Sequence, residues 1–126
     1  MAYNGGGWIG VDFDGTICRY AGWEGAASVG EPVPEMVHRV KDWLARGFIV
    51  KILTARVSDP EDAPIARAAI EAWCLEHVGQ VLEVTCTKDY AMIELWDDRA
   101  IAVKSNTGVA VGWSRVNGPI ATGLKD

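Results

Sequence analysis

The chain has 126 residues, 49% of them hydrophobic and 23% charged, which is ordinary for a globular domain long enough to bury one core. Twelve Lys and Arg against seventeen Asp and Glu leave a net charge of −5, which argues against a protein that grips nucleic acid through bulk positive charge. The three cysteines, odd in number and without CxxC spacing, argue against a disulfide framework or zinc knuckle and fit a reducing, cytoplasmic setting. Every apolar stretch falls far below the roughly 20 residues that span a membrane. The start of the chain has neither the basic region nor the apolar run of a signal peptide, so residues 1–6 read as a flexible tail on a single domain over residues 1–126.

Trp8-Ile9-Gly10-Val11-Asp12-Phe13 is short, β-rich and bounded by glycines, which predicts a buried strand. Residues 17–33 lack a period and read as an irregular excursion. Met36, Val37, Val40, Trp43 and Leu44 recur at helical spacing, with Pro34 suited to the first position and Gly47 to the stop. A second strand follows over 48–53. The next helix is expected from about Pro64, behind the acidic pair Glu61-Asp62, with Ile65, Ala69, Ile70, Trp73 and Cys74 as its apolar stripe and Gly79 at its close. Strands are expected at 81–85 and 92–96. Ile101-Ala102-Val103 and Val109-Ala110-Val111, joined across Asn106-Thr107-Gly108, predict a hairpin at the sheet edge. Strand alternating with helix is the pattern of an α/β domain built on a mainly parallel sheet flanked by helices.

Chemistry-bearing residues gather where strands end. Asp12-Phe13-Asp14-Gly15-Thr16 follows the first strand, and sites in open α/β sheets form outside the carboxyl ends of strands. Taken alone, such a segment is as well explained by a turn in which Asp and Gly satisfy the backbone. Thr54-Ala55-Arg56 brings a hydroxyl and backbone amides to the end of the second strand, and Asp97-Asp98 brings two acids to the end of the fourth. Adjacent aspartates in apolar surroundings repel one another unless a cation is shared, so a divalent metal is the economical explanation. Lys88 can supply a compensating positive charge.

In this order, the four pieces resemble the motifs of the haloacid dehalogenase superfamily of phosphohydrolases: Asp-x-Asp-Gly-Thr at 12–16, Thr54, Lys88 and Asp97-Asp98. The resemblance covers residues 8–103. Gly30-Glu31-Pro32-Val33-Pro34, Thr54-Ala55-Arg56 and Trp96-Asp97-Asp98-Arg99 look like its short, capless bacterial and phage members. It implies a Rossmann-like domain without a cap and a Mg²⁺-dependent phosphomonoesterase working through an aspartyl-phosphate. By that resemblance Asp12 is the nucleophile and Asp14 the general acid and base. Asp12, the main-chain carbonyl of Asp14, Asp97 and Asp98 hold Mg²⁺, Asp98 directly or through water. Thr54 and amides near Phe13, Asp14 and Ala55 hold phosphate oxygens, with Gly15 and Arg56 also at the substrate, and Lys88 neutralises charge between Asp12 and the phosphoryl group.

The implied partner is a phosphorylated small molecule or a phosphorylated nucleic-acid end, with Arg19, Arg56 and Arg99 as a local anion-attracting rim. Tyr20 and Trp23 can shape the substrate entrance. Two rivals belong to other classes. A receiver-type signalling module combines the same residue types, but there the phosphorylated Asp follows the third strand. A catalytically silent binding protein on the same frame would carry eroded motifs, and here they are intact. Gly5-Gly6-Gly7-Trp8-Ile9-Gly10 matches the letters GxGxxG but precedes its strand, the reverse of a dinucleotide site. Trp43 and Trp73 are expected in the core, and Cys18, His38 and His77 as packing or surface residues.

Overall fold

The computed structural model describes residues 6–120, so the tail expected at residues 1–6 lies, apart from Gly6, outside the described residues. The chain forms β1 (Trp8–Val11), α1 (Pro34–Ala45), β2 (Ile49–Leu53), a single 3₁₀ turn (Ala55–Val57), α2 (Ala63–His77), β3 (Glu83–Thr85) and β4 (Met92–Trp96). The four strands make one parallel sheet in the order β3-β2-β1-β4. Helix α1 buries Met36, Val37, Val40 and Trp43, the expected stripe. It stops where Gly47 turns left-handed (φ +90°), its amide donating to the Leu44 carbonyl at 3.1 Å while Phe48 reaches back to Trp43 at 3.0 Å. These two bonds satisfy carbonyls that a helix end otherwise leaves unpaired.

Period-2 alternation assigns the faces. Ile9, Val11, Val50, Ile52 and Val84 share one core with Met36 and Val40 of α1 and with Ala66, Ile70, Trp73 and Cys74 of α2. Both helices therefore lie on one face of the sheet, a two-layer arrangement where flanking helices were expected without regard to side. The reason is topological. Two right-handed crossovers that step the same way, β1 to β2 to β3, place their helices on the same side. The return from β3 to β4 has only residues 86–91, too few for a helix and its turns. That link crosses the opposite face, where the Trp8 indole donates to Asp89 Oδ1 at 2.9 Å and Lys51 Nζ lies 4.7 Å from the centre of the Trp8 ring.

The expected C-terminal hairpin exists as β5 (Ala102–Val103) and β6 (Ala110–Ser114), with Asn106 (φ +66°) and Gly108 (φ +74°) in its connection. Its place differs from the expectation. It does not extend the parallel sheet but pairs with a further strand, β7 (Gly118–Ile120), in a separate antiparallel sheet of three strands. Among the described residues no helix is long and apolar enough to cross a membrane.

Candidate active site

The carboxyl edge of the parallel sheet collects the ends of β1, β2 and β4 side by side, with β1 in the middle. The Asp12 amide still follows the sheet, donating to the Trp96 carbonyl at 2.9 Å. The chain then folds into a tight loop in which the Phe13 carbonyl accepts from Thr16, Ile17 and Cys18 at 3.0–3.3 Å. Phe13 itself is fully buried, its ring edge-on to Trp73 with centroids 5.1 Å apart. Gly15 makes the turn with φ +85°, and a β-carbon there would stand 2.5 Å from Asp98 Oδ2. Only glycine meets both demands.

This loop brings Asp12 against the end of β4. Carboxylate oxygens of Asp12, Asp97 and Asp98 all lie within 4.8 Å of one another. Thr16 ties the two segments together: its hydroxyl stands 3.1 Å from Asp12 Oδ2 and accepts the Asp98 amide at 3.1 Å. Burial pushes the Asp12 carboxyl up from 3.8 to about 7, and the neighbouring charge of Asp97 pushes in the same direction. Three carboxylates this close form a hard, all-oxygen donor set of the kind that suits Mg²⁺ or Ca²⁺.

Asp14 does not join that cluster. A strictly extended chain would point Asp12 and Asp14 to the same side, but the Phe13–Cys18 loop turns Asp14 toward the end of β2. There Arg56 holds it with two parallel bonds, Nε to Oδ2 at 2.7 Å and Nη2 to Oδ1 at 2.8 Å. Thr54 is buried at the end of β2, accepts the Arg56 amide on its hydroxyl at 3.2 Å and so caps the 3₁₀ turn that carries Arg56. Among the described residues, no protein acceptor takes the amide N–H of Phe13, Asp14 or Ala55. Three donors therefore stand at the edge expected to bind an anion.

The two expected cations differ in their partners. Lys88 is exposed on the link between β3 and β4 and forms no ion pair among the described residues. Arg56 was expected at the substrate, but its guanidinium is spent on Asp14 and on the carbonyls of Ala26 (3.2 Å) and Ser28 (2.6 Å). A cleft of about 440 Å³ opens beside Asp14 and Arg56, with Arg19, Tyr20, Glu24 and Glu31 among its walls, all from the irregular 17–33 segment. Trp23 lies over the Arg56 guanidinium, 5.0 Å from ring centre to Cζ. Arg99 is exposed, its amide donating to Asp97 Oδ1 at 2.7 Å. Cys18 is buried and its sulfur accepts the Gly30 amide at 3.1 Å, as suits a packing residue.

Two neighbours of the acidic cluster lie outside the roles that the motifs imply. Thr16 stood inside the motif, and its bridging hydroxyl is the signal there. Arg115, in the β6–β7 turn, pairs with Asp98 Oδ2 at 3.0 Å, and no local pattern marks it. Compared with family models, curated proteins and solved structures, the chain finds no match.

Proposed function

We propose that the chain is a divalent-metal-dependent phosphomonoester hydrolase that forms a covalent acyl phosphate on Asp12. The observation that carries this reading is the convergence of Asp12, Asp97 and Asp98 beside three unpartnered amides at one sheet edge. Strand order supports a haloacid-dehalogenase-type, Rossmann-like domain, because the strand of the proposed nucleophile lies between the Thr54 strand and the Asp97-Asp98 strand. Asp12, Asp97 and Asp98 would hold Mg²⁺, with the Asp14 carbonyl as the remaining protein ligand the resemblance implies. The ion supplies charge neutralisation for the phosphoryl oxygens and lets the clustered carboxylates ionise together.

Asp12 attacks phosphorus through a carboxylate oxygen, forming an aspartyl-phosphate as the bond to the leaving oxygen breaks. The amides of Phe13, Asp14 and Ala55 and the Thr54 hydroxyl bind phosphoryl oxygens, where preformed donors stabilise charge that grows in the transition state. Asp14 faces the cleft, protonates the leaving alkoxide and then takes a proton from the water that cleaves the aspartyl-phosphate. Lys88 is the cation the resemblance assigns to the charge between Asp12 and phosphate. The substrate we favour is a small phosphomonoester. The arginine rim that would favour a nucleic-acid end is reduced, since Arg56 is internally bound and Arg19 shares the cleft with Glu24 and Glu31.

Phosphate release from phenyl phosphate, small sugar phosphates and 3′- or 5′-phosphorylated oligonucleotides tests the whole reading. Release with Mg²⁺ that stops in excess chelator, faster on small esters than on oligonucleotide ends, is expected. Full activity in chelator refutes the metal assignment, and no release from any member refutes the hydrolase.

A further inference from the structure

We propose that Arg56 is the positioning residue for Asp14, fixing that carboxylate at the leaving-group side of the site and locking it to the wall of the cleft. The inference rests on the phosphatase reading above. A bidentate guanidinium fork fixes both the place and the plane of a carboxylate, which a single ammonium contact cannot do. Arg56 is itself held from every direction. Its side chain is 7% exposed, Nη1 donates to the Ala26 and Ser28 carbonyls, and its Cζ lies 5.5 Å from the Phe13 ring centre and 5.0 Å from that of Trp23. One side chain thus joins the Asp12–Asp14 loop, the end of β2 and the 26–28 segment beside the cleft.

The fork takes one lone pair from each Asp14 oxygen. A carboxylate offers about two per oxygen, so a remaining pair can carry the proton that passes to the leaving oxygen and is regained from the attacking water. Asp14 and Arg56 both line the cleft, so the open side of the carboxylate meets whatever leaving group enters there. Loss of the fork leaves Asp14 chemically intact but free to rotate away from the oxygen it must protonate, and small errors of placement cost rate steeply.

The test compares the full chain with Arg56→Lys, which keeps the charge and removes the fork, and with Trp23→Leu, which removes an exposed cover of the guanidinium and threatens the fold less. Turnover is measured with Mg²⁺ on an alkyl phosphate, phenyl phosphate and 4-nitrophenyl phosphate, at a temperature well below each variant's melting point. General acid assistance is worth about 10²–10⁴-fold where the leaving group is poor and little where it is good. Arg56→Lys should therefore lose ~10²-fold on the alkyl ester and less than ~5-fold on the nitrophenyl ester. Trp23→Leu should show the same selectivity at a few-fold scale. Adding Arg56→Lys to Asp14→Asn should cost the alkyl ester nothing more, because the two act as one unit.

Equal losses across the leaving groups, or losses that add to those of Asp14→Asn, overturn the positioning role while leaving the phosphatase reading intact. No turnover by the unaltered chain fails that reading, and this proposal with it.

Discussion

Asp12→Asn should make the metal-free protein more stable. Burial and the Asp97 charge raise the Asp12 carboxyl from 3.8 to about 7, so near neutral pH the folded chain holds a proton that the unfolded chain has released. The contribution of Asp12 to stability is then greatest below about pH 4 and falls as pH rises toward about 7, above which the full penalty of its ionised form is in place. At face value the rise corresponds to ~4 kcal/mol. Asp12 is only half-buried, and water screens part of the repulsion, so ~1–2 kcal/mol is the working figure. For a domain of this size that is about 3–10 °C in melting temperature. Asn keeps the shape and an acceptor for Thr16, whose hydroxyl lies 3.1 Å from Asp12 Oδ2, but carries no charge.

The assay is thermal unfolding at about pH 8 and about pH 4, in chelator and in excess Mg²⁺. In chelator at the higher pH the variant should melt above the parent, and near pH 4 the two should converge. Mg²⁺ should raise the melting point of the parent, because an ion that binds only the folded state stabilises it by mass action, and should raise that of Asp12→Asn less. A variant that melts at or below the parent in chelator at about pH 8 would refute the claim that the three acids strain one another.

The remaining expectations concern the loop and the lysine. Gly15→Ala forces a β-carbon against Asp98 Oδ2 at a left-handed φ of +85°, so it should cost at least ~1–2 kcal/mol and blunt the Mg²⁺-linked rise in melting temperature. Denaturant unfolding with and without Mg²⁺ checks both. Lys88→Ala should leave the melting temperature within about 1 °C, since Lys88 is exposed and pairs with no carboxylate among the described residues. Its turnover should fall by at least ~10²-fold as the charge assigned to the reacting phosphate is removed. An unchanged turnover number takes Lys88 out of the site.

The elements legible in the sequence were those that local rules determine. The α1 stripe, the Gly47 and Gly79 stops, the four parallel strands and the burial of Trp43 and Trp73 follow from apolar period and turn chemistry. The approach of Asp12 to Asp97 and Asp98 followed from one topological rule, that parallel strands deliver their carboxyl ends to one edge. Pairings between distant segments were not legible. Nothing near Arg56 in the chain marks Asp14 as its partner, and charge alone suggested that Arg56 faced an anionic ligand instead. The one-sided helical layer was legible in principle, because six residues between β3 and β4 cannot hold a helix. Strand β7 carries no strand pattern in Gly118-Pro119-Ile120, and its proline is tolerated because β7 lies at a sheet edge.

Under the proposed mechanism, the arrangement gives the two aspartates of one short motif different surroundings for opposite tasks. Acid–base chemistry and nucleophilic attack need carboxylates in different surroundings, and residues two apart on a regular strand would share theirs. The strand therefore ends at Val11, before the first of them. Asp12 stays with the sheet through its amide bond to Trp96 and meets the acids that follow β4, where a shared cation is what would let it ionise. The buried Phe13 and the left-handed Gly15 then reverse the chain, and Asp14 emerges facing β2, against a guanidinium and an open cleft. Two residues of sequence separation become two electrostatic environments, one defined by negative neighbours and one by a positive partner.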